Sequence, residues 1–144
     1  MKVSVELSKE YSEPFAVIYT SAVTEEIQKL MDLLSSGDSP IVARKEDRLV
    51  VIKPEDVYMV RAEGGDTVIY TEKEKYYSRK RLYELLNQLG GGFMQISKQT
   101  IVKLSCVKSV EAGFSGTLLL KLKNGASDYV SRKYLPDFKK YLGI

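Results

Sequence analysis

Four short stretches of this 144-residue chain hold side chains suited to binding polyanions or bases. Ser97-Lys98-Gln99-Thr100 lies between the apolar runs 93–96 and 101–104. Lys, Gln and Ser hydrogen-bond base edges and phosphate oxygens, and a loop between two strands can place them; the plain alternative is a solvated hairpin turn. Ser131-Arg132-Lys133-Tyr134 follows the last strand-like run. There Arg matches guanine bidentately and Lys pairs a phosphate, while Tyr134 suits a core position at the start of a helix equally well. Arg79-Lys80-Arg81 leads into a leucine-rich helix, where cations oppose the helix dipole, which favours a functional explanation over a bare exposed turn. Glu63-Gly64-Gly65-Asp66, with Thr67 next, would let a backbone approach phosphate. With no GxGxxG or P-loop pattern and with strands on both sides, it reads better as a hairpin turn that can touch a partner.

Other chemistry is poorly supported. The chain has no histidine, which removes Ser-His-Asp and Cys-His nucleophile systems, imidazole bases and histidine metal ligands. Its one cysteine, Cys106, can form no internal disulfide or metal knuckle, and its apolar neighbours Leu104, Val107 and Val110 favour a packed thiol over a reactive one. The carboxylates are scattered through turns without an acid/base pair. No enzymatic activity, metal, cofactor or small-molecule substrate is expected.

Charge is distributed unevenly about a net +3. Residues 1–40 carry three Lys and seven acids, residues 41–92 ten bases and nine acids, and residues 93–144 nine bases and three acids. A basic C-terminal third suits nucleic acid, although a lysine-rich solvated surface explains the same numbers. Hydrophobic residues at 44% and charged residues at 28% describe a soluble globular chain. No apolar run approaches a membrane span, and Met1 to Leu7 lacks a signal-peptide core, so a cytoplasmic location is expected.

The elements that must hold these loops are mostly strands. Val3, Val5 and Leu7 alternate with polar residues and predict a strand over 2–7; residues 15–20 predict a second. Thr24 is a candidate N-cap for a helix over 24–35 with Ile27, Leu30, Met31 and Leu34 on one face. Residues 1–40 thus read as a small ββα extension, a candidate dimerisation or regulatory unit, ending at the turn-rich Gly37-Asp38-Ser39-Pro40. Beyond it, short strands are predicted at 41–45, 49–53, 57–62, 67–71, 75–78, 93–96, 101–104, 107–111, 117–123 and 126–130. Helices are predicted over 82–89, closed by Gly90-Gly91-Gly92, and over about 135–142. Asn124-Gly125 is the strongest hairpin signal.

In order and spacing, residues 41–142 resemble a LytTR DNA-binding domain, the effector of many bacterial response regulators. Pro54 to Ala62 matches the family's I-x-Y-I-E-A strand, and Tyr76 to Leu85 the entry to its helix. Phe93 to Lys103 matches F-x-R-I/V-H/S-R/K-S-x-I/V-V-N, and Val130-Ser131-Arg132-Lys133-Tyr134 matches I/V-S-R-R/K-Y. The resemblance implies a mainly β fold of small antiparallel sheets with one or two short helices. It also implies three loops that enter successive major grooves of a repeated duplex-DNA site: here Gly64, Gly65, Asp66 and Thr67; Ser97, Lys98 and Gln99; and Arg132 with Lys133. Arg79 and Lys80 join them as candidates, and Lys98 and Arg132 become the favoured base readers. Arg61 stands where Glu is usual, Lys103 where Asn is, Gln99 where Ser is, and Ser97 where His often stands, departures that bear on which DNA sequence is read.

Residues 1–40 are too few for a receiver domain of roughly 120 residues with its Mg²⁺-binding acids, so phosphorylation control is not expected. The resemblance is to stand-alone LytTR transcription regulators of Gram-positive bacteria, many of which are restrained by a small membrane protein. The N-terminal unit must pack on the main domain or on a second copy of itself, and a homodimer is the further expectation, because two effector domains suit a repeated site. Two other classes stay open: a protein-interaction module without DNA function, and a small thiol enzyme built on Cys106.

Overall fold

The computed structural model describes residues 1–12, 14–35 and 40–144. Within them α1 (Glu25–Ser35) is followed by β1 (Ile41–Lys45), β2 (Arg48–Ile52), β3 (Met59–Glu63), β4 (Asp66–Tyr70) and β5 (Lys75–Ser78). Next come α2 (Leu82–Leu89), β6 (Phe93–Gln95), β7 (Thr100–Lys103), β8 (Val107–Ala112), β9 (Leu118–Leu122), β10 (Ser127–Val130) and α3 (Leu135–Leu142). The mainly β expectation is met. Strand ends differ from the predicted ones by one or two residues, because Pro54–Asp56 and Leu104–Cys106 close into 3-10 turns that shorten the neighbouring strands.

Seven strands form one antiparallel sheet in the order β2-β1-β5-β4-β3-β7-β6, and three form a second in the order β10-β9-β8. Successive residues of a strand point to opposite faces, so the central strands β3, β4 and β7 feed two cores. Val60, Ile69 and Ile101 join Ile41, Ala43, Ile52 and the α2 residues Leu85 and Leu89 on one face. Met59, Val68, Tyr70 and Val102 join Ile96, Leu120, Leu122, Val130 and Phe138 of α3 on the other. Neither face of the centre meets water, which is why β4 is buried from Thr67 to Tyr70 instead of alternating.

The N-terminal region departs from expectation. Among the described residues before Glu25 no strand forms, neither over 2–7 nor over 15–20. Val3, Val5 and Leu7 are 85%, 83% and 95% exposed. Period-2 alternation supplies an apolar face but no hydrogen-bonding partner, and the larger sheet ends at β2 and β6 without taking up this segment. The helix does form: the Ile27 N–H donates to Thr24 Oγ1 at 3.3 Å, as an N-cap does. Ile27 is buried, while Met31 and Leu34 are exposed. Gly37, Asp38 and Ser39 of the predicted boundary lie outside the described residues.

Candidate nucleic-acid interface

Strand pairing brings the predicted loops to one end of the molecule. The Glu63↔Asp66 pair closes a two-residue turn in which Gly64 and Gly65 have φ of 55° and 87°. Positive φ at both central positions is the type I′ geometry whose twist matches a hairpin. A Cβ on either glycine would meet nothing within 4 Å, so the requirement is conformational and the turn stands in open space.

Backbone bonds fix the other loops to this turn. The Ala62 N–H donates to the Gln99 carbonyl at 2.8 Å, which places Ser97–Gln99 beside the end of β3. The Ser131 N–H donates to the Ile96 carbonyl at 2.9 Å, which joins the smaller sheet's last loop to the same place. On the other flank the buried Thr67 donates its hydroxyl to the Lys80 carbonyl at 2.7 Å. All four predicted segments therefore share one edge. Not every predicted side chain is free on it: Lys80 Nζ donates to Gln88 Oε1 at 3.0 Å, and Ser97 Oγ accepts the Gln99 N–H at 3.2 Å. Lys98, Gln99, Arg132, Lys133, Arg79 and Arg81 are exposed.

Carboxylates at this edge are matched by arginines. Asp66 Oδ1 is 3.7 Å from Arg44 Nη2, and Glu63 Oε1 is 3.5 Å from Arg61 Nη2. Arg61 Nη1 is 3.3 Å from Asp128 Oδ2, which also accepts the Thr100 hydroxyl at 2.6 Å. Tyr70 completes this network, accepting from Arg61 Nη2 at 2.8 Å and donating to Glu63 Oε2 at 2.7 Å. Burial pushes the Tyr70 phenol above its ordinary value, with the hydrogen bond to Glu63 adding to it and Arg61 opposing. Burial works against the Arg61 charge, but its bonds to Tyr70 and Asp128 outweigh that and raise the guanidinium. Lys98, Arg132, Lys133, Arg79 and Arg81 form no ion pair among the described residues, so the edge presents uncompensated positive charge.

Sequence reasoning missed two features. Arg61 is an inter-sheet clamp, a role set by contacts 66 and 67 residues away that no local pattern reveals. Phe114 is 65% exposed on the β8–β9 turn, at the same edge; an aromatic within Gly113-Phe114-Ser115-Gly116 was the available signal. Cys106 is buried at the opposite end, where the Lys123 N–H donates to its carbonyl.

A family profile described as LytTr DNA-binding domain matches residues 47–143. The sensory transduction protein LytR of Streptococcus agalactiae is 27% identical over 90% of this chain, which spans 58% of that protein's length. An uncharacterized HTH-type transcriptional regulator of Staphylococcus aureus is 25% identical over the whole chain and 99% of its own length. Among the described residues strands separate each α-helix from the next, so this edge is built without a helix-turn-helix pair. The LytTr DNA-binding domain of a Bacillus cereus response regulator superposes with a TM-score of 0.69 at 24% identity, over 75% of this chain and all of that domain, and shares the fold.

Proposed function

The chain belongs to the LytTR DNA-binding domain family, and from that premise we propose that it is a transcription regulator that reads duplex DNA with the loop edge described above. Lys98 and Arg132 reach base edges in the major groove, the Gly64-Gly65 turn and Asp66 enter beside them, and Gln99 supplies a further hydrogen-bonding group. Lys133 and Arg79 hold phosphates. Thr67, Ser97 and Lys80 are positioning residues, because their own bonds shape the loops. The observation that carries the reading is the pair of backbone bonds, Ala62 to Gln99 and Ser131 to Ile96, that gather separate loops into one surface whose carboxylates are already matched.

The protein works without catalysis, and Cys106 packs the core. Two copies act on repeated sites, held through residues 1–35, whose exposed Val3, Val5, Leu7, Phe15, Val17 and Tyr19 support a protein contact. A small membrane protein that restrains the regulator would use the same segment. The test is binding to duplex DNA enriched from a random-sequence pool, titrated at rising salt. Affinity is expected to fall linearly on log axes, with a slope of about −0.9 per phosphate contact. Binding that ignores salt, or the absence of any enriched sequence, refutes the reading.

A further inference from the structure

The β8–β9 turn lies at the same edge as the predicted loops, since Leu118 pairs with Ala112 on one side and Val130 on the other, and Val130 leads into Ser131. It is tightly built. The Gly113 N–H donates to the Thr117 carbonyl at 2.8 Å, and the Thr117 hydroxyl and N–H donate to the Phe114 carbonyl at 2.7 and 3.0 Å. A Cβ on Gly113 would stand 2.4 Å from Thr117 Oγ1 and 3.1 Å from Tyr129 Cδ1, so only glycine permits the close approach. Ser115 and Gly116 both have positive φ, at 51° and 78°, and for serine that is a strained conformation.

This construction displays an aromatic ring. Phe114 packs edge-on against Tyr129, with centroids 4.9 Å apart, and is otherwise largely open. The Arg132 side chain approaches Gly116 of the same turn, its Cδ 3.7 Å from where a Gly116 Cβ would be. An exposed apolar ring and an arginine side chain thus lie at one turn, the ring on Phe114 and the arginine stem against Gly116 two residues on, at the edge that carries Lys98 and Lys133. Arginine pairs with guanine and phenylalanine packs on the thymine methyl in the same groove. Resting on the reading of this edge as a DNA-binding surface, we infer that Phe114 is a fourth base-contacting element, taking up a thymine 5-methyl group next to the base pair read by Arg132.

The experiment uses the full chain and the duplex it enriches from a random pool, with each thymine replaced in turn by deoxyuridine. The wild type is expected to lose about fourfold affinity at a contacted thymine, the worth of one buried methyl group. In Phe114→Ala that penalty disappears at one thymine per half-site while the others persist, and Phe114→Leu, which keeps an apolar contact, retains it. Circular dichroism and melting temperature confirm that both variants fold, as expected for a ring so exposed. Superposable penalty profiles for wild type and Phe114→Ala, or a loss spread equally over all positions, overturn the inference and assign the Phe114–Tyr129 pair to a protein contact. Failure of the wild type to enrich any duplex overturns the underlying reading of the edge instead.

Discussion

Arg61 Nη1 lies 3.3 Å from Asp128 Oδ2, and this pair joins β3 of the larger sheet to β10 of the smaller one immediately behind the loops proposed to read DNA. Both side chains are partly buried, so the attraction is less screened than in a surface pair.

Arg61→Ala is expected to destabilise the fold by about 1–3 kcal/mol, because it leaves Asp128 and Tyr70 short of a charged donor. Arg61→Glu, the residue that the family pattern favours there, costs more, since it places a third carboxylate between Glu63 and Asp128. Adding Asp128→Arg to Arg61→Glu recovers part of the loss. Urea unfolding of the wild type, Arg61→Glu, Asp128→Arg and the double variant measures the coupling, and strictly additive changes would show that the pair contributes nothing.

Tyr70 gives the network a pH dependence. Its folded pKa is raised above the ordinary 10.0, so folding favours the protonated phenol. That stabilisation is fully present below pH about 10 and is lost as pH rises through the folded value. Unfolding measured between neutral pH and about pH 11 should show a fall in stability that Tyr70→Phe reduces. Identical profiles would place the alkaline sensitivity elsewhere.

Lys98→Ala and Arg132→Ala are expected to lower the preference for the enriched duplex over unrelated DNA by about 1–3 kcal/mol each. Lys133→Ala should weaken both DNAs alike and shallow the salt slope by about one. Competition binding separates the cases. A uniform loss for Lys98 or Arg132 would make that residue a phosphate anchor.

Among the described residues the members of both core clusters lie beyond residue 40, so removing residues 1–36 takes away the buried Ile27 and no cluster member. The truncated chain is expected to fold as a monomer that binds a half-site and loses the tighter binding to a double site, because linking two sites raises the effective concentration of the second contact. Light scattering and binding to single and double sites provide the check. A full-length chain that stays monomeric on the double site rules out pairing through this segment.

The main domain was legible because its signals are local. Turn signals at regular spacing placed β1 and β5 at their observed limits, leucine spacing placed α2, and the paired glycines marked the β3–β4 turn. Asn124-Gly125 marked its hairpin too, although only Gly125 adopts positive φ, while the Asn124 amide donates to the Thr71 carbonyl. Val3, Val5 and Leu7 misled because a strand also needs a neighbour, which a pattern of side chains does not provide. Arg61 and Phe114 were hidden for a related reason. Their roles depend on Asp128 and Tyr129, which the fold brings close and the sequence keeps apart.

The bonds that gather the loops proposed to read DNA run from main chain to main chain, Ala62 to Gln99 and Ser131 to Ile96. Their geometry does not depend on which side chains occupy positions 98, 99, 132 and 133. If these loops read DNA as proposed, substitution there rewrites the preferred sequence while the path of each loop is preserved. Evolution can therefore retarget this scaffold one residue at a time, without passing through an unfolded intermediate, and a library randomised at those four positions should be rich in folded members.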